Sequence, residues 1–234
     1  IVDFDMRLID LFKEMDKKKL TLKMQIRQEY YRVKELLDGK RPSRMELFTY
    51  MDDDIYRICV SGSHAKENPF QHYLDFLYEL GELSEDEQEL YAGIGREFIQ
   101  TIETTEMQKV YKMPILYSFY NHGNIRLAVT DEEVLESWKE FFDTGTNWKD
   151  FPNVNTYEDY KKVTDKQHLS KAKRMPITRL KMSGKGFFVE KDGYALALRD
   201  EIGDVVGNMA FGEQMGDVLG YRSLEYYRRR YKKE

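Results

Sequence analysis

Apolar residues recur at helical spacing through the first hundred positions. Leu8, Leu11, Phe12 and Met15 follow the i, i+3, i+4, i+7 rhythm of one buried stripe, and Leu22, Ile26, Tyr30, Val33 and Leu37 form a second that Gly39 ends. Ser43 with Glu46, and Ser84 with Glu87, have the spacing of capping boxes, in which two side chains satisfy orphan backbone N–H groups of a new helix. Asn68-Pro69 opens a helix that turns Phe70, Tyr73, Leu74 and Leu77 inward and closes at Gly81. Leu90, Tyr91, Ile94, Phe98 and Ile102 carry a further stripe. The pattern predicts an all-helical module over residues 1–104.

After Thr105 the rhythm changes. A helix through Met113, Leu116, Phe119 and Tyr120 stops at Gly123, and Ile125, Leu127 and Val129 alternate with polar residues as a short strand does. Thr130 and Glu133 start another capped helix, whose apolar face is Val134, Leu135, Trp138, Phe141 and Phe142. A loop over residues 144–155 leads to a basic helical segment from about Thr164 towards Met182, interrupted near Pro176. Two strand-like runs, 187–190 and 194–198, flank Asp192-Gly193, a pair that suits a two-residue type I′ hairpin turn.

Helix, short strand, helix, basic helix and hairpin is the order of a winged helix. A small α+β domain with a solvated basic helix gives the same string. The fold class expected is mainly α (α+β): a helical module over 1–104, a winged-helix-like module over 105–200 and C-terminal helices over 201–234 packing on the rest. Trp138, Phe141, Leu116 and Phe119 are expected to share one core.

Charge changes the picture more by its distribution than by its total of −5. Residues 82–106 hold eight carboxylates against one arginine, whereas 161–185 hold nine lysines and arginines against Asp165 alone, and the last fourteen residues hold six basic groups against two acidic. A uniformly basic nucleic-acid binder is excluded; a chain with one face for a polyanion or an acidic partner is not. The residues assigned to DNA contact are Lys171, Lys173, Arg174, Arg179 and Lys181 on the basic helix, Lys185 and Lys191 on or beside the wing, and Arg228, Arg229 and Arg230 at the C-terminal end.

No catalytic constellation accompanies them. The single Cys59 excludes an internal disulfide and a cysteine-based zinc cluster, which fits a reducing cytoplasm. His64, His72, His122 and His168 show no ligand spacing, and Asp52-Asp53-Asp54 reads as a helix-flanking turn. Glu190 and Lys191 are adjacent, hence on opposite faces of a strand, which defeats a nuclease core. Gly184-Lys185-Gly186 is too short for a phosphate-binding loop. No stretch is long and apolar enough for a membrane span, and the start at Ile1 suits a fragment of a larger protein.

The run Ile102-Glu103-Thr104-Thr105-Glu106-Met107 with Tyr111-Lys112-Met113-Pro114-Ile115-Leu116 resembles the C-terminal region of bacterial DEAD/DEAH-box helicases of restriction or defence type. Met175-Pro176-Ile177, the run from Gly186 to Leu196, Tyr221-Arg222-Ser223-Leu224-Glu225-Tyr226-Tyr227-Arg228, and the earlier Phe4-Asp5-Met6-Arg7-Leu8, Tyr30-Tyr31 and Arg41-Pro42-Ser43-Arg44-Met45-Glu46-Leu47-Phe48 are similar in the same order. A fainter similarity joins residues 111–142 and the hairpin to DNA-reading domains of modification-dependent restriction endonucleases. The resemblance implies a cytoplasmic accessory region without enzyme activity or cofactor of its own. Its partners would be DNA and the ATP- and magnesium-dependent motor of the same parent chain. Two other readings stay open: a protein-interaction or autoinhibitory module that packs on the motor through residues 82–106, and a divergent nuclease.

Overall fold

The computed structural model describes residues 20–231, which are mainly helical with one small antiparallel sheet. The stripe from Leu8 to Met15 and the similarity at Phe4 to Leu8 lie outside the described residues. Contacts divide the chain into two compact units, Ile1–Tyr73 and Leu74–Glu234.

In the first unit, α1 (Leu22–Leu36) buries Ile26, Tyr30 and Val33 as their spacing predicts. Gly39, at φ +80, turns the chain and donates its N–H to the carbonyl of Lys34 at 2.9 Å, satisfying an orphan acceptor of the last turn. The Ser43–Glu46 capping box opens α2 (Arg44–Tyr50), and Asp52 caps α3 (Asp53–Cys59) by accepting from the N–H groups of Asp54 and Ile55. Phe48, Tyr56 and Phe70 meet edge to face at centroid distances of 5.0–6.3 Å. The Arg44 guanidinium lies 4.6 Å above the Tyr73 ring, whose hydroxyl donates to the carbonyl of Pro42.

The second unit takes more than the module expected over 105–200. Helices α4 (Tyr73–Leu80), α5 (Glu85–Ala92) and α6 (Ile94–Thr104) follow one another, and Leu74, Leu90, Phe98, Ile99 and Ile102 join the core built around Trp138. Residues 74–104 therefore pack with the C-terminal part of the chain. The boundary falls before Leu74 and not at 104, because the apolar stripe of α6 is covered by aromatic residues far along the sequence. Phe98 stands 5.3 Å from Phe187 and 5.6 Å from Phe211. Helical rhythm alone says nothing about which module covers a stripe.

The expected order then appears: α7 (Lys112–Tyr120), β1 (Ala128–Val129), α8 (Asp131–Asp143), the short α9 (Tyr157–Lys161), α10 (Asp165–Ala172), a π turn (Lys173–Ile177), α11 (Thr178–Ser183), β2 (Phe188–Val189) and β3 (Leu196–Leu198). β3 is the central strand, in the order β1-β3-β2; Ala197 pairs with Ala128 on one side and Val189 on the other. This is the sheet order of a winged helix. Leu116, Phe119, Trp138 and Phe141 belong to one core, and Trp138 is fully buried 5.0 Å from Phe142. The basic segment starts at a Thr164–Gln167 capping box and passes Pro176 through the π turn, so the missing N–H bends the hydrogen-bond ladder without ending it.

The hairpin forms, but not with the turn expected. Its strands end at Val189 and resume at Leu196, the carbonyl of Lys191 accepts from the N–H of Tyr194 at 3.1 Å, and Gly193 has a positive φ while Asp192 does not. Positive φ at the third position alone is the geometry of a type II turn, which suits a longer wing loop. The 23-residue α12 (Met209–Tyr231) closes the unit. Its Arg222 donates to the carbonyl of Glu103 at 2.7 Å and to that of Thr105, satisfying the C-terminal end of α6.

Candidate nucleic-acid interface

The lysines and arginines of the basic segment part into two sets. Lys173 places its Nζ 2.9 Å from both carboxylate oxygens of Asp131, the first residue of α8, and Lys181 pairs with Glu190 in the wing loop. These pairs lie at the surface, where they link the helix to α8 and to the hairpin. Lys171, Arg174, Arg179 and Lys185 have no side-chain partner among the described residues. Arg174, Arg179 and Lys185 are exposed, and Met175 and Met182 stand exposed beside them, Met182 at 73%. The outward face thus offers guanidinium groups and flexible apolar side chains together.

Beyond the helix, Lys185 adopts φ +49 in the turn before β2, and Lys191 holds its Nζ 5.6 Å from the centre of the half-exposed Tyr194 ring. Both lysines and the outer face of α11 flank the same hairpin. The three arginines near the end of α12 do not act alike. Arg228 is partly buried, and Arg229 Nε stands 3.7 Å from Glu225. Arg230 Nε lies 2.8 Å from Oδ1 of Asp150, whose side chain is wholly buried. Burial pushes the Asp150 carboxyl up, and the Arg230 charge draws it part of the way back. Arg230 is a partner of a buried acid, so a phosphate would have to compete with that carboxylate for it.

Sequence reasoning missed two groups that hold this region in place. Asp150 falls in a stretch read as loop, where a short 3-10 turn (Asn147–Asp150) carries it inward and its backbone carbonyl accepts from the hydroxyl of Tyr111 at 2.7 Å. Lys112 is buried at the start of α7 and donates to Thr105 Oγ1 at 2.8 Å and Ser183 Oγ at 3.3 Å; burial lowers its pKa. An isolated acid in a polar loop and a lysine before an apolar run carry no pattern that marks them as buried.

The acidic stretch is divided as well. α5 and α6 meet at Gly93, and Glu87 and Glu103 are buried, Glu87 accepting from Gln214 Nε2 at 2.8 Å while its other oxygen completes the capping box with Ser84. What remains outside is a smaller acidic face with one distinctive feature. The half-exposed Tyr78 stacks on Tyr91 at 4.5 Å, and Arg96 covers the same Tyr91 ring at 4.4 Å while pairing with Asp75 at 2.6 Å.

Burial pushes the Cys59 thiol up to about 12, the mark of a packed and unreactive side chain. Among the described residues, no group of three or more His, Cys, Asp or Glu is arranged to hold a metal ion, and no helix is long and apolar enough to cross a membrane. Compared with known proteins, the chain matches no family model, no curated protein and no solved structure.

Proposed function

We propose that the unit Leu74–Glu234 is a non-catalytic DNA-binding module, an accessory region that positions a helicase motor of restriction or defence type on its substrate. In this reading the outer face of the basic helix, led by Arg174 and Arg179, enters the major groove, and Lys185, Lys191 and Tyr194 hold the flanking backbone. The observation that carries it is the winged-helix order β1-β3-β2 joined to a basic helix whose outward arginines have no side-chain partner among the described residues.

Fluorescence anisotropy with a labelled duplex at several salt concentrations tests the proposal. Each neutralised phosphate contributes a slope of roughly −0.9 in log affinity against log salt. Replacing Arg174 and Arg179 together by alanine is expected to weaken binding and flatten the slope by up to about two units. Thermal stability should stay within about 0.5 kcal/mol, since neither group is used inside the fold. Equal affinity in both proteins, or no binding by the wild type at low salt, would sink the reading. The second reading, a protein-interaction module, is favoured by the Tyr78–Tyr91–Arg96 stack on an acidic face, and DNA binding that failed while a basic peptide bound there would select it.

A further inference from the structure

On the side of α8 away from α10, a cavity of about 470 Å³ opens between the end of α7, residues 121–126, α8 and α12. That volume lies within the range of pockets that hold small organic ligands. Its floor is aromatic: Tyr117 lies 6.0 Å from Phe141 and 6.3 Å from Tyr120 between ring centres. Tyr120 is seated by an absence. A Cβ on Gly216 of α12 would stand 2.5 Å from the Tyr120 hydroxyl, so only glycine there admits the ring in this position.

The rim decides what the floor can receive. Glu133, Glu136 and Glu140 follow one another at i, i+3 and i+7 along a single face of α8, and Arg126 is the one Lys or Arg among the residues lining the cavity. Two of the three acids already have partners: Glu133 caps the N–H of Thr130 and lies 3.1 Å from Arg126 Nε, and Glu140 stands 3.5 Å from His122 Nε2. Glu136, between them, has no partner among the described residues. The two lining asparagines add acceptors. Asn121 and Asn147 donate their amide nitrogens to the carbonyls of Asn124 and Phe141, which leaves their amide oxygens open to a donor.

An anion would meet three carboxylates against one guanidinium that is already paired. A hard metal ion would find one uncommitted carboxylate where it needs six or more oxygen ligands. A wholly apolar ligand would strand the rim unsatisfied. A planar cation with many donors fits: its face stacks on the aromatic floor and its edge meets the open carboxylate in two parallel hydrogen bonds. We propose that this cavity binds a guanidinium group, carried either by a small molecule or by an arginine side chain of another polypeptide. The site shares no residue with the DNA face and stands or falls separately from it.

Isothermal titration of the full chain with agmatine, with a short peptide holding one internal arginine between glycines, and with putrescine tests the proposal. Agmatine or the peptide is expected to bind at least tenfold more tightly than putrescine, whose ammonium groups cannot stack. Tighter binding of the peptide assigns the guanidinium to a polypeptide, and tighter binding of agmatine assigns it to a small molecule. Glu136→Gln, an exposed change that leaves the fold intact, should weaken the better ligand by roughly tenfold or more, the worth of a charge-assisted bond. Glu132→Gln, one helix turn earlier and outside the cavity, should change nothing. Gly216→Ala, which displaces Tyr120 without altering charge, should also weaken it. No binding by either guanidinium compound, or equal binding by the wild type and Glu136→Gln, overturns the proposal.

Discussion

Replacing Arg230 by alanine leaves the Asp150 carboxylate without the cation that touches it, with only the more distant charge of Lys109 remaining, in a place where its side chain has no exposed surface. Removing one partner of a fully buried ion pair costs about 3–5 kcal/mol, because the remaining charge stays in low dielectric. The Arg230 side chain is 40% exposed, so solvent already screens part of the pair, and about 2 kcal/mol is the reasonable share. For a unit of this length each kcal/mol moves Tm by about 2–4 °C, giving an expected fall of about 4–8 °C at neutral pH. The pH dependence has a definite sign. The folded Asp150 carboxyl titrates above its ordinary range, with burial as the main cause and Arg230 opposing it. Loss of Arg230 raises it further, so the deficit of the variant should be largest at neutral pH and shrink as the pH falls and the acid takes up its proton. Thermal melts of the wild type, Arg230→Ala, Asp150→Asn and the double variant at pH 7.5 and pH 5 form the cycle that measures it. Asp150→Asn should restore most of the stability lost in Arg230→Ala. A loss below about 1 °C, or strictly additive losses in the cycle, would show that the pair carries no coupling and would return Arg230 to the list of free surface cations.

His168 is buried between Phe151, 4.9 Å away, and Tyr160, and burial, aided by the charge of Lys139, holds its pKa below the ordinary value. The stability it contributes is present above the usual histidine range and lost as the pH falls through it, so His168→Phe should flatten the decline seen in urea melts between pH 7 and pH 5; an unchanged slope would refute the assignment. At the junction of α11 and the wing, a Cβ on Gly184 would press on the Phe188 ring and stand 2.5 Å from the carbonyl oxygen of Leu180, which cannot yield. Gly184→Ala should cost about 1–3 kcal/mol in the same melts, and a neutral result would mean that the helix end can shift freely.

The elements that could be read from the sequence are those encoded within a few residues. The capping boxes at Ser43, Ser84 and Thr130 all form, since each needs only two residues three apart. The interior face of α8 and the pairing of the wing strands followed from periodicity for the same reason. What escaped depends on residues distant in the chain. The wing turn is set by where β3 pairs with β1, not by Asp192-Gly193 alone. Likewise, Lys173 and Lys181 look like free cations until Asp131 and Glu190 are brought beside them. The cavity beside Glu136 had no linear signature, because its floor and rim come from three helices and a loop.

The π turn across Pro176 has a consequence for the shape of the outer face. His168, Ala172, Pro176, Leu180 and Gly184 are all buried, and Lys166, Ser170, Arg174, Thr178 and Met182 are all exposed, each set at intervals of four residues. In an unbroken α-helix every such interval overshoots a full turn by about 40°, so four of them would carry a residue roughly 160° round the axis, from the core to solvent. One wider turn takes up about one residue, some 100° of that rotation, and leaves both rows nearly parallel to the axis. Arg174, Thr178 and Met182 are thereby set in a straight file where an ordinary helix would wind them into a spiral, and removal of the one extra residue would restore ordinary α-helical winding with the segment beyond it still facing the same way.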